Sequence, residues 1–342
     1  MAPVEPPSEV AAVVCALGTA RPEHMVANED IAPRLGVTPD WIARRTGIHR
    51  RARAATGTST ADLATEAAEL ALAQRPDPDM EVDALIVATI TPDRRCPATA
   101  PEVAARLGLA GIPAFDIAAA CTGLLYALQI ASALIRSATH RGVLVIAADR
   151  IPSLVDPDDR TTAPLFGDGA AALLLRAGQP HEHGALGPVV LGADGRHADT
   201  VSVEHGGFMA MHGPQMFQHA VTHLAAGAER ALAAAGWSLA GVDRFVPHQA
   251  NTRITDAVAR RLGLDEHRIL DLIADTGNTS AASIPLALSA ALAEGRVRPG
   301  QRLLLSAAGA GLTWGAATLL CPDHAPPATA RPAAHPTLEK TR

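Results

Sequence analysis

A duplicated α/β fold is predicted for this 342-residue chain by three observations. Helical and strand patterns alternate along it, its strands read as buried runs rich in branched apolar residues, and the elements of the second half repeat those of the first in order. Residues 60–74, TADLATEAAELALAQ, place a threonine before an Ala-rich amphipathic run that a proline then closes, the punctuation of a helix. VDALIVAT follows at 82–89 as a buried strand, and RGVLVIAAD at 141–149 is another. Between them FDIAAACTGLLYALQIASALIRS (115–137) turns from small residues into an apolar helix.

In the second half a helix at about 215–235 leads into VDRFVPHQA, as the first helix leads into VDALIVATI. LIADTGNTSAASIPLALSAALAEG and then QRLLLSAAG echo FDIAAACTGLLYALQIASALIRS and then RGVLVIAAD. Each half closes on a Gly-rich turn and an apolar strand, FGDGAAALLLR at 166–176 and GAGLTWGAATLL at 309–320. Halves at 9–180 and 181–321 are expected, flanked by flexible tails at 1–8 and 322–342, where proline is frequent and no apolar period is present.

Composition narrows the setting. At 48% hydrophobic and 19% charged residues, the chain can bury a large core. Its four cysteines, at 15, 96, 121 and 321, form neither a C-x-x-C pair nor a metal-ligand cluster, so a reducing cytoplasm is expected, without disulfides or a metal site. MAPVEPPSEV lacks a basic region followed by an apolar core, and no apolar run reaches spanning length, so neither export nor membrane insertion is expected. A formal charge of −6 argues against general nucleic-acid affinity.

Equivalent turns of a duplicated fold lie near a shared centre, and these turns carry the most unusual polar residues: Cys121 in the first half, Asn278 in the second, and His248 at the end of its strand. Separately each has a plain explanation: a packed thiol, a helix cap and a satisfied core histidine. Together they form a candidate reactive set.

FDIAAACTG, PHQANTRI and GNTSAASIPLAL, with WIARRTGI early and AGAGLTWGAA late, closely resemble the motifs of β-ketoacyl-acyl carrier protein synthase III, over about residues 10–321. The resemblance implies a thiolase-like fold, with the duplicated halves packed as a five-layered α-β-α-β-α sandwich, and a reaction that starts a fatty acid or polyketide chain. An acyl group passes from acyl-coenzyme A to Cys121, whose pKa should be depressed at a helix N-terminus, and is then condensed with a malonyl-carrier protein, with loss of carbon dioxide. His248 and Asn278 would hydrogen-bond the enolate left by decarboxylation, and the backbone N–H groups of Cys121 and Gly311 would form the oxyanion hole. Asn278 favours condensation, since a carboxylate there would repel an enolate. The alternatives are an acyltransferase in which His248 deprotonates a hydroxyl or amine acceptor, and a non-catalytic carrier-binding subunit. A thiolase would need a second catalytic cysteine, absent from GAGLTWG; Cys321 reads as structural.

By the same resemblance, Trp41 and Arg160 would sandwich the coenzyme A adenine with Arg45 nearby, and Phe166 would line the acyl pocket. No resident cofactor is implied. Arg253, Arg260 and Arg261, on NTRITDAVARRLGL, would receive an acidic carrier protein, although Gln218 stands where the family often has lysine. Phe208, Met209 and Met211 form a loop that either lids the substrate channel or packs on the core. A homodimer is expected, in which Cys96 replaces the Phe or Met that commonly limits the neighbouring subunit's acyl pocket. The smaller cysteine predicts room for a longer, branched or cyclic starter. Cys96→Phe should therefore shift the ratio of kcat/KM values toward acetyl-coenzyme A by about tenfold; an unchanged preference in a competition assay would refute the enlarged pocket.

Overall fold

The computed structural model describes residues 10–323; the predicted tail at 1–8 and all but two residues of that at 322–342 lie outside the described residues. The first half runs β1 (Ala11–Ala20), β2 (Met25–Ala27), α1 (Asn28–Leu35), α2 (Pro39–Thr46), β3 (Arg50–Ala52), α3 (Thr60–Ala73), β4 (Ala84–Ala88), α4 (Thr99–Arg106), β5 (Ala114–Ile117), α5 (Gly123–Arg136), β6 (Gly142–Arg150) and β7 (Asp168–Gly178). It is followed by β8 (Ala185–Ala193), β9 (Val201–Val203), β10 (Met209–Met211), α6 (Gly213–Ala235), β11 (Arg244–Pro247), α7 (Thr252–Leu262), α8 (Ile273–Thr276), α9 (Ser283–Ala293), β12 (Arg302–Gly309) and β13 (Thr313–Leu320).

The ends of these elements follow local chemistry. Ser59 accepts from the Asp62 N–H while the Asp62 carboxylate accepts from the Ser59 N–H, a reciprocal cap that starts α3 one residue before the threonine read from the sequence. Gly236 and Gly263 end α6 and α7 with φ of 65° and 72°, a left-handed conformation that costs glycine little.

Nine strands are linked in the order β11-β12-β13-β8-β1-β7-β6-β4-β5. The two halves repeat one pattern of directions: β4 is parallel to β6, which is antiparallel to β7, itself antiparallel to β1; β11 is parallel to β12, which is antiparallel to β13, itself antiparallel to β8. They meet through β1 and β8 at the pairs Ala12–Leu186 and Val13–Ala185. One difference from the predicted repeat is that β5 has no counterpart. Where the second copy would place that strand, only Ile269 bridges Phe245, and the Asp271 side chain accepts from the Ile273 N–H and turns the chain into the short α8.

Side-chain packing resolves five layers, as expected. Leu124, Leu125 and Leu128 of α5 and Ile284, Leu288 and Leu292 of α9 share one core with the inner faces of both sheet halves. Leu63, Ala64 and Ala67 of α3 and Val103 of α4 cover the outer face of the first half, and Leu224 and Ala228 of α6 with Val258 of α7 cover that of the second. Each fully buried leucine or isoleucine contributes about 1.5–3 kcal/mol, so the middle layer, apolar on both sides, anchors the stack. The outer contact of α3 on β1 is close enough to require glycine: a Cβ on Gly18 would lie 2.2 Å from the Ala67 carbonyl oxygen and 2.3 Å from the Ala71 nitrogen. Gly18→Ala should destabilise the protein by about 3 kcal/mol in urea unfolding, because both neighbours are backbone.

Candidate active site

Cys121 is placed by the turn between β5 and α5. Ala120 takes φ +47°, a one-turn helix spans Ala120–Thr122, and α5 begins at Gly123. The second half repeats this geometry residue for residue: Ser280 has φ +53°, a one-turn helix spans Ser280–Ala282, and α9 begins at Ser283. Cys121 thus corresponds to Ala281, and Asn278 lies three residues earlier in the equivalent turn. The end of β12 closes on this turn, because a Cβ on Gly309 would sit 3.0 Å from the Cys121 nitrogen and 3.1 Å from its Cβ.

His248 follows β11. Its N–H donates to the Ser306 carbonyl (2.8 Å), and its Nδ1 lies 2.7 Å from the hydroxyl of Ser283, the first residue of α9. Asn278 is held as a strand-like bridge beside Phe166: its N–H donates to the Leu165 carbonyl (2.8 Å) and its carbonyl accepts from the Gly167 N–H (3.0 Å). Its Oδ1 accepts from the Ser280 N–H at 2.8 Å, which fixes the amide orientation and leaves Nδ2 as the donating end. Both side chains are buried, and with Cys121 they line one cavity of about 1030 Å³.

The cavity also gathers Trp41, Arg45, Arg160, Phe166 and Arg253. The Arg45 guanidinium covers one face of the Trp41 ring at 4.5 Å, so a base stacked on Trp41 must use the other face. Arg253 lies 5.9 Å from the Phe217 ring centroid. The helices at this mouth are tied by Asn251, whose Oδ1 accepts from the Arg253 N–H as the cap of α7 while its Nδ2 donates to the Arg45 carbonyl (3.0 Å). Met209 and Met211 line the cavity, whereas Phe208, 58% exposed, does not.

Several sequence-predicted residues fall elsewhere. Arg260 and Arg261 are exposed on α7, away from the cavity lining, so the predicted basic stripe divides into Arg253 at the mouth and a separate pair beyond it. Cys96 is exposed and does not line this chain's own cavity. Gly311 is exposed and does not line the cavity, which Gly309 at the end of β12 and Ala310 after it reach. At φ +128° Gly311 turns the chain into β13.

Against the depression of the thiol pKa expected at the α5 N-terminus, burial pushes Cys121 up to about 12; the Ser280 hydroxyl acts against this and the Asp149 carboxylate adds to it. Burial moves His248 down to about 4, so its imidazole is neutral. Asp149, Ser280 and Ser283, all buried, were not singled out as functional in the sequence, although Asp149 ends a buried strand and both serines stand inside GNTSAAS.

Gly309→Ala should reduce turnover at least 100-fold with little loss of folding, since the added methyl would push against the Cys121 backbone at its nitrogen. Steady-state kinetics beside a thermal melt would check this.

The family models for 3-oxoacyl-[acyl-carrier-protein] synthase III and for its C-terminal region match residues 115–195 and 232–321. The chain is 48% identical to beta-ketoacyl-[acyl-carrier-protein] synthase III 3 of Streptomyces coelicolor, over 91% of this chain and 98% of that protein. It is 47% identical to the Rhodospirillum rubrum synthase III, over 89% and 98%. Among solved structures it is similar to the synthase III of Pseudomonas aeruginosa PAO1 (TM-score 0.88, 44% identity, 92% and 99% of the two chains). The priming β-ketosynthase of the R1128 polyketide pathway is also similar (TM-score 0.86, 34% identity, 95% and 100%). Similarity of this extent, over a cavity that gathers Cys121, His248 and Asn278, shows that the chain belongs to the β-ketoacyl-acyl carrier protein synthase III family of condensing enzymes.

Proposed function

We propose that Cys121 is the nucleophile of a two-stage reaction. In the first stage its sulfur attacks the carbonyl of an acyl-coenzyme A, coenzyme A leaves as the thiol, and the acyl group stays on Cys121. The backbone N–H groups of Cys121 and Ala310 receive the tetrahedral oxyanion, an assignment supported by the close approach of Gly309 to the Cys121 nitrogen. Trp41 offers its free face to the adenine, and Arg45, Arg160 and Arg253 supply positive charge to the phosphates. The thioester supplies the driving force, so the reading calls for no resident cofactor.

In the second stage a malonyl-carrier protein loses carbon dioxide, and the enolate oxygen accepts from the Asn278 Nδ2–H and the His248 Nε2–H. The enolate carbon then attacks acyl-Cys121, the C–S bond to Cys121 breaks to release the β-ketoacyl carrier, and the departing Cys121 thiolate takes a proton from solvent. The observation that carries this reading is the amide orientation of Asn278 beside a neutral His248 in one cavity. Asn278 has its oxygen occupied and its nitrogen free to donate, and the reading assigns His248, with Nδ1 on the Ser283 hydroxyl, the tautomer that donates from Nε2. In this reading both groups are donors. The same contact disfavours the acyltransferase reading, since a basic histidine is best supported by a carboxylate, and the Nδ1 partner here is a hydroxyl.

Arg260 and Arg261 form the docking site for the acidic carrier, and β5, at the sheet edge with Phe115 and nearby Ile130 both 36% exposed, forms the face of a two-fold homodimer. Among the described residues no helix is long and apolar enough to cross a membrane, and all four cysteines are free, which suits a reducing cytoplasm.

Mass spectrometry of the enzyme and carrier, with a panel of acyl-coenzyme A donors and malonyl-loaded carrier, tests the reading. Acyl-Cys121 and a β-ketoacyl carrier are expected, with Cys121→Ala unacylated. Asn278→Ala should still be acylated while condensation falls about 100-fold, near 3 kcal/mol for one enolate donor. Acylation that leaves the malonyl carrier intact in the wild type would overturn condensation in favour of transfer to another acceptor.

A further inference from the structure

The half-buried Cys121 must lose its thiol proton as it attacks, and a buried hydroxyl and a buried carboxylate face it. Asp149, at the end of β6, is fully buried, and its Oδ1 accepts from the Ile90 N–H at 2.8 Å and the Thr89 hydroxyl at 3.1 Å. Asp149 Oδ2 and the Ser280 hydroxyl oxygen are both buried, with no regular hydrogen bond elsewhere. The Ser280 hydroxyl faces both the Cys121 thiol and the Asp149 carboxylate and acts on each of them, which sets out a path from thiol to hydroxyl to carboxylate.

We propose that Asp149, acting through the Ser280 hydroxyl, accepts the Cys121 proton during acyl transfer, which makes Ser280 and Asp149 positioning and proton-relay residues of the first stage. This rests on the reading of Cys121 as the acylated nucleophile. As the sulfur lone pair forms its bond to the acyl carbonyl, the thiol proton passes to Ser280 Oγ and the Ser280 proton to Asp149 Oδ2. When the thioester C–S bond breaks, the departing coenzyme A thiolate takes a proton back along the same path, and the carboxylate is restored. The buried pair carries one negative charge before and after the transfer, so the shift avoids burying a second charge.

Of the two buried groups that could take the proton, Asp149 holds it more tightly, being raised to about 6 by burial while His248 is lowered to about 4. The neighbours of Asp149 add no competing charge. Thr89 and Thr91 reach it from the end of β4, Ser280 from the turn before α9, and Cys121 is the titratable group that faces it; Arg150, next to it on β6, acts on Asp168.

Single-turnover acylation from acyl-coenzyme A, followed by quenched mass spectrometry between pH 5 and 9, tests the relay in Asp149→Asn and Ser280→Ala. Wild-type acylation should rise through an acid limb near pH 6 and then level. Each variant should acylate at least tenfold more slowly at pH 7 with an unchanged KM for the donor, lose that limb, and rise with pH throughout the range; the double variant should be no slower than the singles. Decarboxylation of malonyl carrier in a Cys121→Ala background should be the same with and without Asp149→Asn. A carboxylate acting only by its charge predicts the opposite sign, because removing it lowers the thiol pKa and speeds acylation; that result, or a retained acid limb, overturns the relay. Equal loss of acylation and decarboxylation would make Asp149 structural, and absence of acylation in the wild type would instead overturn the assignment of Cys121.

Discussion

The contact on which the rest of the site depends is the meeting of the two α5 and α9 N-termini at the centre of the stack. Both helices are buried between the sheet halves, so their first turns cannot move apart without opening the largest core. In each copy the turn is made by a non-glycine residue in the left-handed region, Ala120 and Ser280. Such a conformation costs roughly 1–3 kcal/mol and persists only where surrounding packing over-determines it. Here that packing is the middle helical layer itself, and the result is that Cys121, Ser280 and Asn278 are fixed relative to one another by backbone rather than by their own side-chain contacts.

Duplication has let one geometry carry different chemistry in each half. The position that holds Cys121 in the first copy holds Ala281 in the second, so the site has a single thiol although the turn is built twice. The second copy instead supplies the groups that act around the thiol: Asn278 before its turn, Ser280 within it, and Ser283 at the start of α9, against His248. The absent counterpart of β5 is consistent with this division, because the chain leading to Asn278 follows α8 and the bridge at Phe166 rather than the edge of a sheet.

Burial sets the protonation states at the centre, and it sets them all toward neutrality. The thiol is raised, the imidazole is lowered and the Asp149 carboxylate is raised, so the resting site minimises charge in a space where charge is costly. Positive charge lies outward instead, on Arg45, Arg160 and Arg253 of the cavity lining, where water can solvate it. Charge at the centre is thus held low while the entrance is cationic.

Sequence by itself determined the alternation of helices and buried strands, the repeat, and the three residues Cys121, His248 and Asn278, because apolar periodicity and residue chemistry are local properties of the chain. The helix at 60–73 and the strands ending at Pro247 and Gly309 were legible for that reason. Tertiary structure decided what depends on separate segments meeting. It left Gly311 outside the cavity lining and brought Gly309 against the Cys121 backbone, where no added Cβ fits without strain. It divided the arginines of α7, and it reversed the expected thiol pKa, since desolvation depends on neighbours distant in sequence. It also brought Asp149 and Ser280, separated by 131 positions, against one another. No local pattern encodes that juxtaposition, which exists only once both halves have closed on the middle layer.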